Sequence, residues 1–384
     1  MSIFDVTPIT VADYRLRARW KLPRFLFDYL DGGANDERTA ARNTADFGEF
    51  RLKQHVMHDV SSVTTTTTLA GDAASMPVAL APVGMAGMYA RRGEVQGARA
   101  AERAGIPFTT STVGICPVEE IRSATRRPFW FQLYMMRDRD FVLEMLKRAQ
   151  AAGCQTLVFT VDLAVAGMRL RDYRNGMLGG GWQGKVSQLL QLATSPLWAF
   201  DVGLKGKPHN FGNISHKVAN PNDLVAYKAF VDAQFDPSVT WQDIRWLRDH
   251  WQGKILIKGV MEVDDARAAA DAGADGVVVS NHGGRQLDGV ASSISKLPAV
   301  ATALGERIEI YMDGGVRSGI DVVKAVALGA RGVLIGRPWI YVLAACGEQG
   351  VVDLLEVFQR EITIAMALLG VNRIEDITPD LIER

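Results

Sequence analysis

The sequence predicts a parallel (β/α)8 barrel on three observations. The first is a recurring junction in which a helical stretch ends at a glycine beside an alanine and a β-branched run follows. It occurs as RAGIPFTTS (103–111), AAGCQTLVFTVD (151–162), DAGADGVVVSN (271–281) and LGARGVLIG (328–336). Glycine just past a helix accepts the left-handed conformation that ends it, and a short continuous apolar run fits a strand buried on both faces. The second is four further runs, PVALAP (77–82), PFWFQLY (128–134), KILIKG (254–259) and IEIYMDGG (308–315), which bring the strands to eight. The third is the spacing: amphipathic helices fit at 92–104, 117–125, 138–152, 240–251, 262–272, 318–328 and near 350–369. Parallel neighbours need such helical crossovers. A doubly wound sheet would want a GxGxxG turn after its first strand, and none is there.

Two segments fall outside the repeat. Residues 1–75 form an N-terminal extension with a helix-like stretch near 10–30 and a threonine run, Thr64–Thr68, expected as an edge strand or surface loop. Residues 175–238 form an insertion between the fourth and fifth strands, and a barrel loop of that length usually carries function. The 384 residues are expected to make one domain, 1–384, since α/β barrels run long as single units. Forty-three Lys and Arg balance 43 Asp and Glu, which demotes a nucleic-acid binder. Cys116, Cys154 and Cys346 lie far apart, which argues against a disulfide framework or a zinc site and fits a reducing compartment. The start, MSIFDVTPIT, is not a signal peptide, and the apolar stretch 73–90 is too broken by proline and glycine to span a membrane.

Active sites of such barrels lie at the C-terminal ends of the strands. There the sequence places Ser111; Gln132 and Tyr134; Thr160 and Asp162; Lys258; Ser280, Asn281 and His282; Asp313; and Gly336 with Arg337. Polar groups on seven of eight strand ends are hard to explain by stability alone. Two glycine-rich turns, DGGVRSG (313–319) and IGRPW (335–339), let backbone N–H groups approach an anion, with Arg317 and Arg337 to supply charge. Their position after the last two strands is the usual phosphate site. GGGWQGK (179–185) imitates a nucleotide loop, but Val186 replaces the Mg²⁺-binding hydroxyl and no buried strand precedes it. His55 and His58 read as a surface pair. His282, after the strand GVVVS, is suited to proton transfer, with Asp162 as the carboxylate that orients it. Arg169 and Arg285 suit an anionic substrate, and Lys258 is open between a surface-facing strand end, a Schiff-base lysine and a cation beside a cofactor that becomes anionic.

Taken together and in order, KLPRFLFDYLDGGA (21–34), LAPVGM (80–85), FQLY (131–134), TVD (160–162), IKGV (257–260), SNHGGRQLDG (280–289), DGGVRSG (313–319) and IGRPW (335–339) are specific. Over about residues 5–380 the chain resembles the FMN-dependent L-2-hydroxy acid dehydrogenase/oxidase family. APVGMAGMYARRGE (81–94) and SPLWAFDVGLKGKPHNFGNIS (195–215) are most similar to its respiratory L-lactate dehydrogenase branch. The resemblance implies His282 as catalytic base paired with Asp162, and Arg285, Arg169, Tyr29 and Tyr134 around the substrate. It implies an FMN site with Lys258 beside the flavin N1 edge, where it stabilises the reduced ring. Ser111, Gln132 and Thr160 would bond the isoalloxazine, Asp313 the ribityl chain, and Gly315, Arg317, Gly336 and Arg337 the phosphate. Pro82, Val83, Gly84 and Gly314 complete that site, while Gly84 and Val113 are expected to line the side-chain pocket. Ala164 departs from the family, which usually has proline there, so the placement of Arg169 depends on a looser turn.

The expected activity is oxidation of L-lactate to pyruvate with electrons passed to a quinone or cytochrome. The alternatives are an oxidase using O₂, a mandelate dehydrogenase, and, from a different class, a Schiff-base lyase using Lys258. Within 180–218, Lys185, Lys205, Lys207 and Lys217 face the single acid Asp201, with Trp182, Trp198, Phe200 and Phe211 interleaved. That mixture suits a membrane interface. The expected place is therefore the cytoplasmic side of the inner membrane, with a soluble cytoplasmic lid or subunit contact as the alternative. Family resemblance suggests a homotetramer.

Overall fold

The computed structural model describes residues 7–178, 181–218 and 233–383. The barrel strands are β1 (Val78–Leu80), β2 (Thr109–Ser111), β3 (Trp130–Leu133), β4 (Thr156–Thr160), β5 (Lys254–Val260), β6 (Gly276–Val279), β7 (Glu309–Asp313) and β8 (Gly332–Ile335). Every neighbouring pair runs parallel in sequence order. β8 pairs with β1 through Ile335 and Leu80, and a parallel bridge from Leu80 to Phe108 closes the ring.

Side chains alternate along a strand with period two, and that rule organises the molecule. Phe131, Leu157, Phe159, Ile255, Ile257, Val277, Val279, Ile310, Met312, Val333 and Ile335 point outward into the helix layer. Their neighbours Ala79, Trp130, Val158, Leu256, Val278, Tyr311 and Leu334 fill the interior. Two residues further along, five of these strands (β3 to β7) turn polar on the inward side, so the barrel is oily below and hydrogen-bonding at its mouth.

The helices are α1 (Val11–Lys21), α2 (Arg24–Asp31), α3 (Arg38–Ala45), α4 (Gly93–Ala104), α5 (Val118–Ala124), α6 (Arg139–Ala151), α7 (Leu170–Arg174), α8 (Gly181–Ala193), α9 (Trp241–His250), α10 (Val263–Asp271), α11 (Ser293–Leu304), α12 (Gly319–Ala327) and α13 (Arg337–Leu369). The expected crossovers lie within a residue or two of these. α11 is not among the expected helices: Pro298 sits inside it and reads as a breaker. Ser292 caps it by accepting from the Ser295 amide, and Leu297, Val300 and Leu304 bury one face. The span Arg337–Leu369 is two helices meeting at a kink at Gly347: the second is the one expected near 350–369, and the first, 337–346, is mostly buried and is not among the expected helices.

The threonine run belongs to a hairpin, Thr67–Leu69 against Asp72–Ala74, which plugs the barrel floor instead of lying at an edge. Leu69 joins the interior cluster, the Ala70 amide donates to the Tyr311 hydroxyl (2.7 Å), and the Trp130 indole donates to Asp72 (2.7 Å). The described parts of the insertion are mostly helical rather than loop: α8, a short turn at Pro196–Trp198, a π-turn at Ala199–Leu204 and a 3₁₀ turn at Ser215–Lys217. Gly179 and Gly180 of the loop-like motif, residues 219–232 of the insertion and residues 1–6 of the extension lie outside the described residues.

The extension crosses the barrel mouth. Asp31, at the end of α2, receives the guanidinium of Arg15 (2.5 Å) and that of Arg171 (2.8 Å), and the Tyr341 hydroxyl (2.7 Å). One carboxylate thus joins α1, α7 and α13. Burial alone would raise its pKa, but Arg15, Tyr341 and Arg171 hold it well below the carboxylate range.

Candidate active site

The inward polar residues at the mouth follow directly from the strand period. Gln132 stands two residues after Trp130, Thr160 after Val158, Lys258 after Leu256, Ser280 after Val278, and Asp313 after Tyr311. All five are buried. Lys258 donates to Ser280 Oγ (3.1 Å) and pairs with Asp313 (2.9 Å). Burial works against its charge, but Asp313 and Asp162 outweigh burial and raise its pKa. An amine held as ammonium is a poor Schiff-base nucleophile. That electrostatic balance opposes the lyase reading and favours a fixed cation.

His282 sits just past β6 with φ +57°, followed by Gly283 and Gly284 at +64° and +74°. A bulky residue in this left-handed region stores strain, which persists where the surroundings over-determine it. They do so here: the His282 amide donates to Ser280 Oγ (3.0 Å), and its ring Nδ1 lies 2.8 Å from Asp162 Oδ1. Burial opposes the ionisation of Asp162, yet His282 and Lys258 lower its pKa overall. An ionised carboxylate only accepts, so Nδ1 carries a proton toward Asp162 and Nε2 is the ring nitrogen left for substrate. Gly259 permits this approach. Its φ is +108°, at a bulge in β5, and a Cβ there would come within 2.6 Å of the Asp162 side chain.

Arg169 and Arg285 converge on Tyr29, their guanidinium carbons 5.2 and 5.0 Å from its ring centre. The alanine at 164 therefore does not carry Arg169 out of the mouth. Arg285 also donates to the carbonyls of Tyr29 (2.6 Å) and Gly32 (2.9 Å). Burial first, then Arg169 and Arg337, bring Arg285 down to about 10. Burial pushes the Tyr29 phenol up, but Arg169 and Arg285 prevail and lower it. Two half-buried cations side by side are poised for an anion. Tyr134 packs on Phe235 at 4.9 Å and has its hydroxyl pKa raised by burial and then by Asp162.

The mouth has the donors and acceptors a flavin nucleotide requires. Gln132 Nε2, Thr160 Oγ1 and Asp313 Oδ1 are buried without a partner among the described residues. Ser111 already donates to Gln132 Oε1 (3.0 Å), which turns the Gln132 amide nitrogen to face other partners. Gly336 faces open space: a Cβ added there would meet nothing nearer than Ala81 and Val83, at 3.8 and 3.9 Å. Gly314 and Gly315 take φ of +90° and +89°, and a Cβ at Gly315 would overlap the Asn43 carbonyl. Pro82, Val83 and Gly84 follow β1, where a Cβ on Gly84 would press on Val113 at 2.8 Å.

Two details of the expected phosphate cradle are set by neighbouring groups. The N-terminal amides of α12 are taken by carboxylates: Arg317 and Ser318 donate to Asp321, and Gly319 to Glu361. Arg337 turns its guanidinium to the carbonyls of Leu30 (3.1 Å), Gly283 (2.8 Å) and Gly32 (2.8 Å), bracing the extension against the His282 turn. Arg317, half-buried and with one N–H on the Val316 carbonyl, follows directly on the glycine turn. Sequence reasoning misses Asn43, which exchanges hydrogen bonds with Asn281 at 2.8 Å, and the buried Asp172. Asp172 stands three residues after Arg169, and that helical neighbour spacing is the signal that could have found it. His55 and His58 are exposed with ring centres 6.0 Å apart, and the described residues hold no group of metal-ligating side chains.

Known proteins resemble the chain over nearly its whole length. The profile of the family described as FMN-dependent dehydrogenase matches residues 18–384. An L-lactate dehydrogenase of Caulobacter vibrioides is 54% identical, covering 97% of each chain. One of Pectobacterium atrosepticum is 52% identical over 96% of this chain and 95% of its own. Among solved structures, the monotopic membrane protein (S)-mandelate dehydrogenase superposes with a TM-score of 0.91 at 35% identity, covering 98% of this chain and 100% of the other.

Proposed function

The chain belongs to the FMN-dependent dehydrogenase family, and from that premise we propose that it oxidises L-lactate to pyruvate with FMN as its cofactor. One observation carries the chemistry: an imidazole fixed through Nδ1 on Asp162 opens into the mouth that holds Arg169 and Arg285. The identity of more than half to L-lactate dehydrogenases over nearly the whole chain supports the substrate.

Arg169 and Arg285 grip the substrate carboxylate, with Tyr29 and Tyr134 bounding the site. Nε2 of His282 takes a substrate proton, and ionised Asp162 stabilises the imidazolium that forms. FMN, when bound, supplies the electron acceptor for the two electrons that leave the alcohol. Lys258, Gln132, Thr160 and Ser111 would hold its ring, Asp313 its ribityl chain, and Arg317 with the 314–316 and 336–337 backbone its phosphate. Pro82, Val83 and Gly84 would wall the ring, and Arg337 would support the cradle through Gly283.

The physiological acceptor is read as a quinone or cytochrome at a membrane surface. No helix among the described residues is long and apolar enough to cross a membrane. Yet α8 wears its amphipathicity inside out. Gln188 and Gln191 face the protein, bonding the Gly176 and Asn175 carbonyls, while Trp182, Leu189 and Leu190 are exposed at 73%, 67% and 65%. Leu197, Phe200 and Leu204 extend that apolar face, and Lys185, Lys205 and Lys207 lie on the same segment. This supports peripheral attachment to anionic lipid, on the cytoplasmic side of the inner membrane. Assembly as a homotetramer belongs to the same reading and is checked by light scattering in detergent.

The test is turnover with L-lactate, D-lactate and (S)-mandelate, using an artificial dye as acceptor. L-Lactate is expected to give the highest kcat/KM and D-lactate none. A preference for mandelate would move the enzyme to the family's aromatic substrates.

A further inference from the structure

Asp172 is 1% exposed, and both its carboxylate oxygens are without a hydrogen-bond partner among the described residues. Unpaired buried carboxylates are costly and rare. This one lies one helical turn past Arg169 on α7, in a nest of site residues. Its charge acts on Arg169, Tyr29 and Tyr89, and it feels Arg169, Arg285, Asp28 and Arg171 in return. The Tyr89 hydroxyl beside this group is likewise buried without a described partner.

We propose that Asp172 is a positioning residue that sets the charge of the substrate clamp, cancelling one of the two positive charges of Arg169 and Arg285 so that the site accepts a ligand with a single negative charge. The inference rests on the reading of Arg169 and Arg285 as the carboxylate clamp. Two arginines alone would present a charge of two and favour dicarboxylates. With Asp172 the clamp presents one, which a monocarboxylate neutralises. Burial raises the Asp172 pKa, and Arg169 and Arg285 offset that only in part, so the group stays above its ordinary value, as expected of a counter-charge that makes no direct bond.

Loss of this charge acts once on a monoanion and twice on a dianion, so the ratio of their affinities isolates it. In Asp172→Asn holoenzyme, the ratio of the oxalate inhibition constant to KM for L-lactate is expected to fall about tenfold, on the scale of one partly screened unit charge. Asp172→Glu, which keeps the charge, is expected to stay within about twofold of wild type. Should Asp172→Asn give no soluble protein, Asp172→Ser removes the same charge and is read identically. Equal weakening of both ligands, an unchanged ratio, or a shift in Asp172→Glu as large as in Asp172→Asn would make Asp172 a structural residue and overturn the proposal. If wild-type protein does not oxidise L-lactate, the functional reading fails separately. Calorimetric titration with oxalate and propionate then reads the same charge ratio without turnover.

Discussion

His282 is held in a backbone conformation that a side chain of its kind rarely adopts, and its amide, ring and two following glycines all serve to keep it there. Replacing it with glutamine retains size and removes the base. His282→Gln is expected to lower kcat by about 10²–10⁴, with the protein still yellow by visible absorbance. The neighbour that matters most to its orientation is Gly259. Gly259→Ala must push Asp162 aside, because the new methyl falls within 2.6 Å of that side chain. Expected is a fall in kcat of about 10- to 100-fold, with the unfolding midpoint changed far less. His282, Asp162 and Lys258 are legible in the sequence because each ends a strand whose apolar period breaks at a polar residue. The bonds of Arg337 to the Leu30, Gly32 and Gly283 carbonyls are not legible, because those carbonyls are distant in sequence and no local pattern connects them, while Asp172 is missed although it stands three residues after Arg169.

At the scale of elements, α8 shows what sequence can and cannot say. Its basic and aromatic composition is visible there, but which face points outward depends on Gln188 and Gln191 finding carbonyls in the turn before it. Leu189→Glu with Leu190→Glu places two charges on the exposed face and leaves those bonds intact. Sedimentation with anionic vesicles is expected to drop at least tenfold, while dye-linked turnover of L-lactate stays within about twofold of wild type, since neither side chain reaches the mouth. Unchanged sedimentation would remove α8 from the membrane contact. The crossover helices are readable because their ends carry glycine or capping residues. α11 is not, because Pro298 masks a helix that Ser292 caps and the barrel wall buries.

Over the whole molecule, the extension and the barrel are joined through Asp31 and its partners Arg15, Arg171 and Tyr341. Since folding depresses the Asp31 pKa, its contribution is present above its unfolded pKa of about 3.9 and fades as pH falls towards the folded value. Asp31→Asn is therefore expected to cost about 3 kcal/mol at pH 7 and progressively less below pH 4, read from denaturant midpoints at each pH. A constant difference across that range would deny the ion cluster its role. The barrel itself is foreseeable from eight buried runs and their helical spacing. The hairpin that plugs its floor is not, since Thr67–Leu69 carries no sign that Tyr311 and Trp130 wait for it.

Whether one mouth both binds FMN and takes electrons from L-lactate is tested most directly by the visible spectrum of the purified protein under anaerobic conditions. A yellow protein is expected, its flavin absorption bleaching on addition of L-lactate and not of D-lactate. A colourless protein that cannot take up FMN, or a yellow one that L-lactate leaves unchanged, would contradict it.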